Sequence, residues 1–246
     1  MCDDTWTPSG EDKLYEVVSI DETWFRLIPS RFPPVDIYQR IASPEHWGEL
    51  HAIEEMTNPR VRERQWLTGL NRVDLGSPRL QNWNHAPFAY LNPEGSWLLD
   101  PFVGVLELSD CLQTALAASI RKRELFLSRT AELPIDLDMR VLGHRVSGNF
   151  IDLTGMDPDL TQSERWQIGE AALRSDADGA LFMCPYRRGA KCVSVFKGDA
   201  LGKSNQHDHF RFVWDGVAIR TVYSFSSARA LAANEIFSEQ PIPRAA

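Results

Sequence analysis

Pro93-Glu94-Gly95-Ser96-Trp97-Leu98-Leu99-Asp100, followed by Val103-Gly104-Val105-Leu106-Glu107-Leu108 and the stretch from Ser109 to Ser128, is the part of the chain whose reading decides the fold. The run from Val103 to Leu108 is short, apolar and bounded by Pro101 and Ser109, the pattern of a largely buried strand. Ser109 suits a helix cap, and Asp110 in the first turn favours the positive end of the helix dipole. Leu112, Ala115, Leu116, Ser119 and Ile120 then recur at three- and four-residue steps, which predicts a helix with one narrow buried face. Arg121, Lys122 and Arg123 crowd the far end of that pattern and read as a solvated helix end.

Working outward, Thr23 to Pro29 has the aromatic and β-branched character of a strand, and Pro33-Pro34 closes it in an extended turn that carries Arg31. Residues 1–20 read as a polar arm. Ser43-Pro44-Glu45 starts a helix expected to run to about Met56, with His46 and His51 as surface residues because their spacing does not put both imidazoles on one helical face. Ile135 to Val141 alternates apolar and polar, so Asp136 and Asp138 fall on a solvated sheet face beside Arg140, and Phe150 to Leu153 is a further short strand. Thr161-Gln-Ser-Glu164 is a capping box that opens a helix with Trp166, Ala172 and Leu173 inward. Asp178-Gly179 turns the chain into a strand at 180–183. A second strand follows at 192–196, with Cys184 at the end of the first. His207 to Trp214, Asp215-Gly216 and Val217 to Tyr223 form a hairpin, and residues 226–246 a short helix and tail. Strands and helices mixed with adjacent hairpins define an α+β class, with the main domain spanning 21–225.

Composition bounds the function. The chain has 246 residues, 43% of them hydrophobic, enough to bury one sizeable core. Its formal net charge of −8 has no long basic block, which argues against nucleic acid as a partner. The N-terminus has neither a basic segment nor an apolar one, and no stretch approaches the roughly 18 apolar residues of a membrane span, so a cytoplasmic protein without membrane attachment is expected. Four cysteines without Cys-x-x-Cys spacing, and a His207-x-His209 pair without a third ligand, indicate no metal site.

Several segments taken in order carry a resemblance: residues 22–63 (ETWFRLIPSRFPPVDIYQRIASPEHWGELHAIEEMTNPRVRE), NPEGSW at 92–97, GVLELSDCLQTALAAS at 104–119, ELFL at 124–127, LDMRV at 137–141, Asp178-Gly179 and CVSVF at 192–196. Together they resemble the RES-domain family, the NAD⁺-degrading or ADP-ribosylating toxins of bacterial toxin–antitoxin pairs, usually encoded with an Xre-type antitoxin. The resemblance implies a compact mixed sheet similar to that of ADP-ribosyltransferases, with the nucleotide cleft beside the Trp97 and Ala118 segments. The family is named for an Arg, a Glu and a Ser. The register of Gly95-Ser96 puts Trp97 at the Arg position, the helix puts Ala118 at the Glu position, and Cys184 stands at the Ser position. Leu106 and Glu107 stand where the family tends to place Tyr, while Arg26 and Arg31 survive.

The exchanges bear on chemistry. A guanidinium grips a pyrophosphate through two charge-assisted hydrogen bonds, whereas Trp97 offers one uncharged N–H. A carboxylate can stabilise the positive charge that develops on ribose as nicotinamide leaves, and Ala118 cannot. The resemblance therefore implies two alternatives. In one, a degenerate RES domain acts by binding a protein or nucleotide, with Arg26, Arg31 and Trp97 around the ligand. In the other, an active NAD⁺-consuming toxin uses substitutes: Arg31 or Arg79 for the pyrophosphate, Glu107 for the carboxylate and Cys184 for the hydroxyl. An indole in the cleft favours the first; an indole turned into the core with Glu107 in the cleft favours the second.

Overall fold

The computed structural model describes residues 5–6, 15–30, 43–46, 49–50, 53, 82–89 and 91–242. Its strands are β1 (Thr5–Trp6), β2 (Tyr15–Pro29), β3 (Leu106–Ser109), β4 (Ile135–Asp152), β5 (Gly179–Met183), β6 (Lys191–Val195), β7 (Leu201–Trp214), β8 (Ile219–Ser224) and β9 (Arg229–Ala232). The α-helices are α1 (Asn82–Ala89), α2 (Leu112–Ser128), α3 (Gln162–Leu173) and α4 (Ala233–Phe237). Arg31, Arg79 and His51 lie outside the described residues.

The strands form one mixed sheet in the order β1-β2-β3-β6-β5-β4-β7-β8-β9, with β2 also paired to β4. That extra pairing closes β2, β3, β6, β5 and β4 into a ring. β2 and β4 run antiparallel from Val17↔Ile151 to Pro29↔Met139, and β2 meets β3 at Phe25↔Ser109. The β4–β5 pairing is parallel. Along its other edge β4 carries β7, from which β8 and β9 extend as an open arm.

Alternation along the strands fills the ring. Ile20 and Trp24 from β2, Leu106 and Leu108 from β3, Val146 and Phe150 from β4 and Val193 and Val195 from β6 share one buried cluster, and Phe88 of α1 packs into it. A second cluster joins α2 and α4 to the open arm through Leu116, Ile120, Met139, Phe212, Val222 and Ile236. A third joins Leu98 and Leu99 to Ile151, Ala172, Ala180 and Phe182, so α3 covers the β5–β6 side. These layers are an α+β mixed sheet with flanking helices.

Several elements depart from the sequence expectations. β2 starts at Tyr15, eight residues before the expected strand, because its edge pairs with β4 as far back as Val17↔Ile151. The expected strands at 135–141 and 150–153 are one continuous β4. Gly143 and Gly148 do not break it, since each accommodates a neighbour: a Cβ at Gly143 would meet His207 Nε2 at 2.6 Å, and one at Gly148 would meet Asp178 Oδ2 at 2.5 Å. Helix α2 starts at Leu112, with Cys111 rather than Ser109 at the cap, and Gln113 to Ala117 are all buried instead of one narrow face. The β7–β8 connection runs from Asp215 to Ala218, and its tip is Gly216-Val217, one residue on from the expected Asp215-Gly216, closed by Asp215 N–H donating to the Ala218 carbonyl. At Pro44–His46 there is a 3-10 turn, and residues that would complete the expected helix to Met56 lie largely outside those described. Among the described residues no helix is long and apolar enough to cross a membrane.

Candidate functional site

The loop at 92–99 sets the position of Trp97. Gly95 has φ +70°, a left-handed conformation, and a Cβ there would meet the Leu99 carbonyl at 2.8 Å, so glycine is required. The turn is closed by Gly95 N–H to the Asn92 carbonyl at 2.8 Å and by Ser96 Oγ, which accepts from the Leu99 N–H at 2.9 Å. Helix α3 pins it from outside, with the Trp166 indole N–H donating to the Ser96 carbonyl at 3.1 Å. Trp97 is thereby half-buried at the edge of a cleft, with the Arg165 guanidinium 3.7 Å above its ring.

That cleft, with a cavity volume of about 80 Å³, lies between strands β2 and β3 and helix α2. Arg26 and Leu27 enter it from β2, Glu107 to Ser109 from β3, and Ala115, Ala118, Ser119, Lys122 and Arg123 from α2. Trp97, Phe182, Pro185, Tyr186 and Cys192 complete the wall. A second lobe next to it shares Arg26, Leu27, Glu107 and Lys122, so these four form the ridge between the two. Of the residues singled out from sequence, Arg26, Trp97, Glu107 and Ala118 meet here, and Cys184 lies just behind the wall, 7% exposed. Trp97 and Glu107 thus occupy the cleft together.

Glu107 is engaged on both oxygens. One accepts the Trp97 backbone N–H at 3.0 Å and the other the Lys122 ammonium at 2.6 Å. The carboxylate side is 13% exposed and the lysine side 45%, so the pair sits at the cleft surface with its acid end inward. Burial pulls the Lys122 pKa down, but Glu107, with smaller effects from Tyr186 and Cys192, more than offsets this and leaves it raised. Burial raises the Tyr186 phenol, which therefore stays protonated at neutral pH despite the nearby Lys122. Desolvation lowers Arg26 to about 10, where it is still a cation.

Behind Arg26 lies a polar core that sequence inspection passed over. His144 of β4, directly across from Trp24, is fully buried. Its Nδ1 is 2.6 Å from Ser204 Oγ, which donates to Asn84 Oδ1 at 2.5 Å, while Asn84 Nδ2 donates to the Gly202 carbonyl at 3.3 Å. Ser204 has one hydrogen, directed at Asn84, so Nδ1 carries the imidazole proton. Burial and the neighbouring Arg26 charge hold His144 down to about 3.

Lys122, Arg123, Tyr186 and Arg165 were also missed, and the expected solvated helix end is in part a cleft wall. Lys122 lies four residues after Ala118, one turn along the same helical face, and that spacing was the available signal. Arg165 reaches Trp97 through the packing of α3, for which the sequence holds no local sign. Asp136 and Asp138 lie outside this cleft and both pair with Arg211, the latter at 2.8 Å. Among the described residues no group of three or more His, Cys, Asp or Glu could hold a metal ion.

Fold and site define an α+β domain whose cationic cleft opens between a strand ring and a helix. The chain belongs to the RES-domain family: the RES domain model matches residues 70–215. An uncharacterized protein y4oC of Sinorhizobium fredii (strain NBRC 101917 / NGR234) is 46% identical over 211 residues, covering 86% of this chain and 91% of that protein. A solved structure, that of the M. tuberculosis MbcT–MbcA toxin–antitoxin complex, is similar at a TM-score of 0.40 and 13% identity, over 78% of this chain and 86% of that one. Arg26 precedes the family-matched span and reaches the cleft because β2 pairs with β4.

Proposed function

We propose that this chain is a catalytically degenerate RES-domain protein that acts by binding, with a nucleotide of the NAD⁺ type as the ligand of its cleft. The observation that carries this reading is the state of Glu107, whose two oxygens are taken up by the Lys122 ammonium and the Trp97 amide. A carboxylate paired in this way has its charge offset, and it faces a positive neighbour where an emerging ribosyl cation would need a negative one. By the segment resemblance, the family's Glu position falls at Ala118, one turn before Lys122. Loss of one such electrostatic group costs about a hundred- to a thousandfold in rate. Arg26, Lys122 and Arg123 outnumber Glu107 around the cleft, which favours an anionic ligand, and Trp97 offers an aromatic face at its edge.

The test is to incubate the protein with NAD⁺, with and without inorganic phosphate, and to follow nicotinamide release and dinucleotide binding by NMR. Binding without release is the expected outcome. Release that Glu107→Gln abolishes would overturn it in favour of an NAD⁺-consuming toxin with a relocated carboxylate. Neither binding nor release would leave docking to a protein, such as an Xre-type antitoxin, as the role of the fold.

A further inference from the structure

We infer that Cys184 and Cys192 form a peroxide-oxidisable dithiol site in the cleft wall, with Cys184 as the attacking sulfur and Cys192 as the resolving one. Register places the two together. Cys192 pairs with Phe182 across the β5–β6 hairpin, and Cys184, two residues on, donates its N–H to the Ala190 carbonyl at 2.8 Å. The side chains of Cys184 and Cys192 therefore lie diagonally on one face of the hairpin, where each thiol perturbs the other, and Cys192 Sγ also lies 3.8 Å from Ser109 Oγ.

Their surroundings divide the roles. The chain turns directly after Cys184, and the backbone N–H groups of Tyr186 and Arg187 in that turn favour a thiolate at its sulfur. With the Cys192 hydrogen bond as the largest effect, acting against burial, these donors hold Cys184 down to about 7. Cys192 is pushed the other way, by its contact with Cys184 and by burial, and keeps its proton. Cys192 and the neighbouring Pro185 and Tyr186 line the cleft, which gives a small oxidant a route to the pair.

Hydrogen peroxide supplies the oxidant. The Cys184 thiolate attacks one peroxide oxygen, the O–O bond breaks, and the leaving hydroxide takes a proton to become water, leaving a sulfenic acid. The Cys192 sulfur then attacks the Cys184 sulfur, the S–O bond breaks, and the thiol proton leaves with the hydroxyl as a second water. Two thiols are oxidised by two electrons and one peroxide is reduced. The bond would tie the ends of a loop that carries Tyr186, and also Arg187, whose guanidinium holds the C-terminal segment through the Ser238 and Glu239 carbonyls.

The experiment treats the full chain with hydrogen peroxide, alkylates the remaining thiols and maps tryptic peptides without reduction. Cleavage after Arg187 and Lys191 separates the two cysteines, so the expected product is peptide Ser175–Arg187 joined to Cys192–Lys197, lighter than their sum by two hydrogens. The chain should lose two of its four titratable thiols. In Cys192→Ser, a sulfenic acid trapped by dimedone should accumulate at Cys184, whereas in Cys184→Ser the Cys192 thiol should persist. Oxidation of Cys111 ahead of Cys184, or a disulfide that includes Cys2 or Cys111, would overturn the assignment. The wild-type peptide map decides this whether or not either variant folds.

Discussion

Lys122 and Glu107 hold the cleft's charges in place, and replacing either should be felt in binding before folding. Lys122 reaches its acid partner at 2.6 Å across the ridge shared by both lobes. If the cleft takes a nucleotide, Lys122→Ala removes a donor to its phosphates and should weaken NAD⁺ binding about tenfold by calorimetry, the worth of one charge-assisted hydrogen bond. Unchanged affinity would show that the ligand does not use this ridge. His144 makes a separate prediction. Its folded pKa of about 3 lies below the ordinary 6.5, so between those values the unfolded chain binds a proton that the folded chain does not. Stability should therefore fall as pH drops from 6.5 toward 3, by a few kcal/mol in all. The urea midpoint should decline over that window in the wild type and much less in His144→Asn, with other carboxylates contributing equally to both.

Helix α3 and the 92–99 loop form one unit, and a glycine sets their spacing. A Cβ on Gly169 would sit 1.8 Å from the Leu98 carbonyl oxygen, a backbone atom that cannot swing aside. Gly169→Ala should push α3 off the loop, stretch the Trp166–Ser96 hydrogen bond and unseat Arg165 from the Trp97 ring, at a cost of about 2 kcal/mol. Denaturant unfolding would read the stability, and a shift in tryptophan emission the loosened stack. The same elements show what sequence could convey. The capping box at Thr161 and Glu164 is present as read, because both partners are three residues apart and no distant group is needed. The strands at 179–183 and 191–195 were legible to within a residue, from Asp178-Gly179 and the apolar runs at 180–183 and 192–196. The ring was not: β2 closes it by pairing with β4 more than a hundred residues away, and register at that distance leaves no local trace. The site followed the same division. Trp97 and Ala118, singled out from their segments, line the cleft, whereas Arg165 over the indole and the Asn84–Ser204–His144 chain exist only once distant strands meet.

At the scale of the whole molecule, an acidic protein carries a cleft of opposite sign. The chain's formal charge is −8, yet Arg26, Lys122 and Arg123 face the cleft against Glu107. The general field repels anions, while the local field, less screened because Arg26 is desolvated, attracts them once they enter. Such an arrangement disfavours long polyanions, whose charge would extend over acidic surface, and favours a small anionic ligand that fits inside. Salt should expose the local term. Raising ionic strength from about 0.05 to 0.5 M shortens the screening length from roughly 14 to 4 Å, and NAD⁺ affinity should fall several-fold. Adenosine has the same base and sugar without the phosphates, and its weaker binding should hardly respond. Calorimetry with both ligands across that range separates the possibilities. A parallel decline would mean that salt acts on the protein rather than on the phosphates, and a NAD⁺ affinity independent of salt would remove the cationic ridge from recognition.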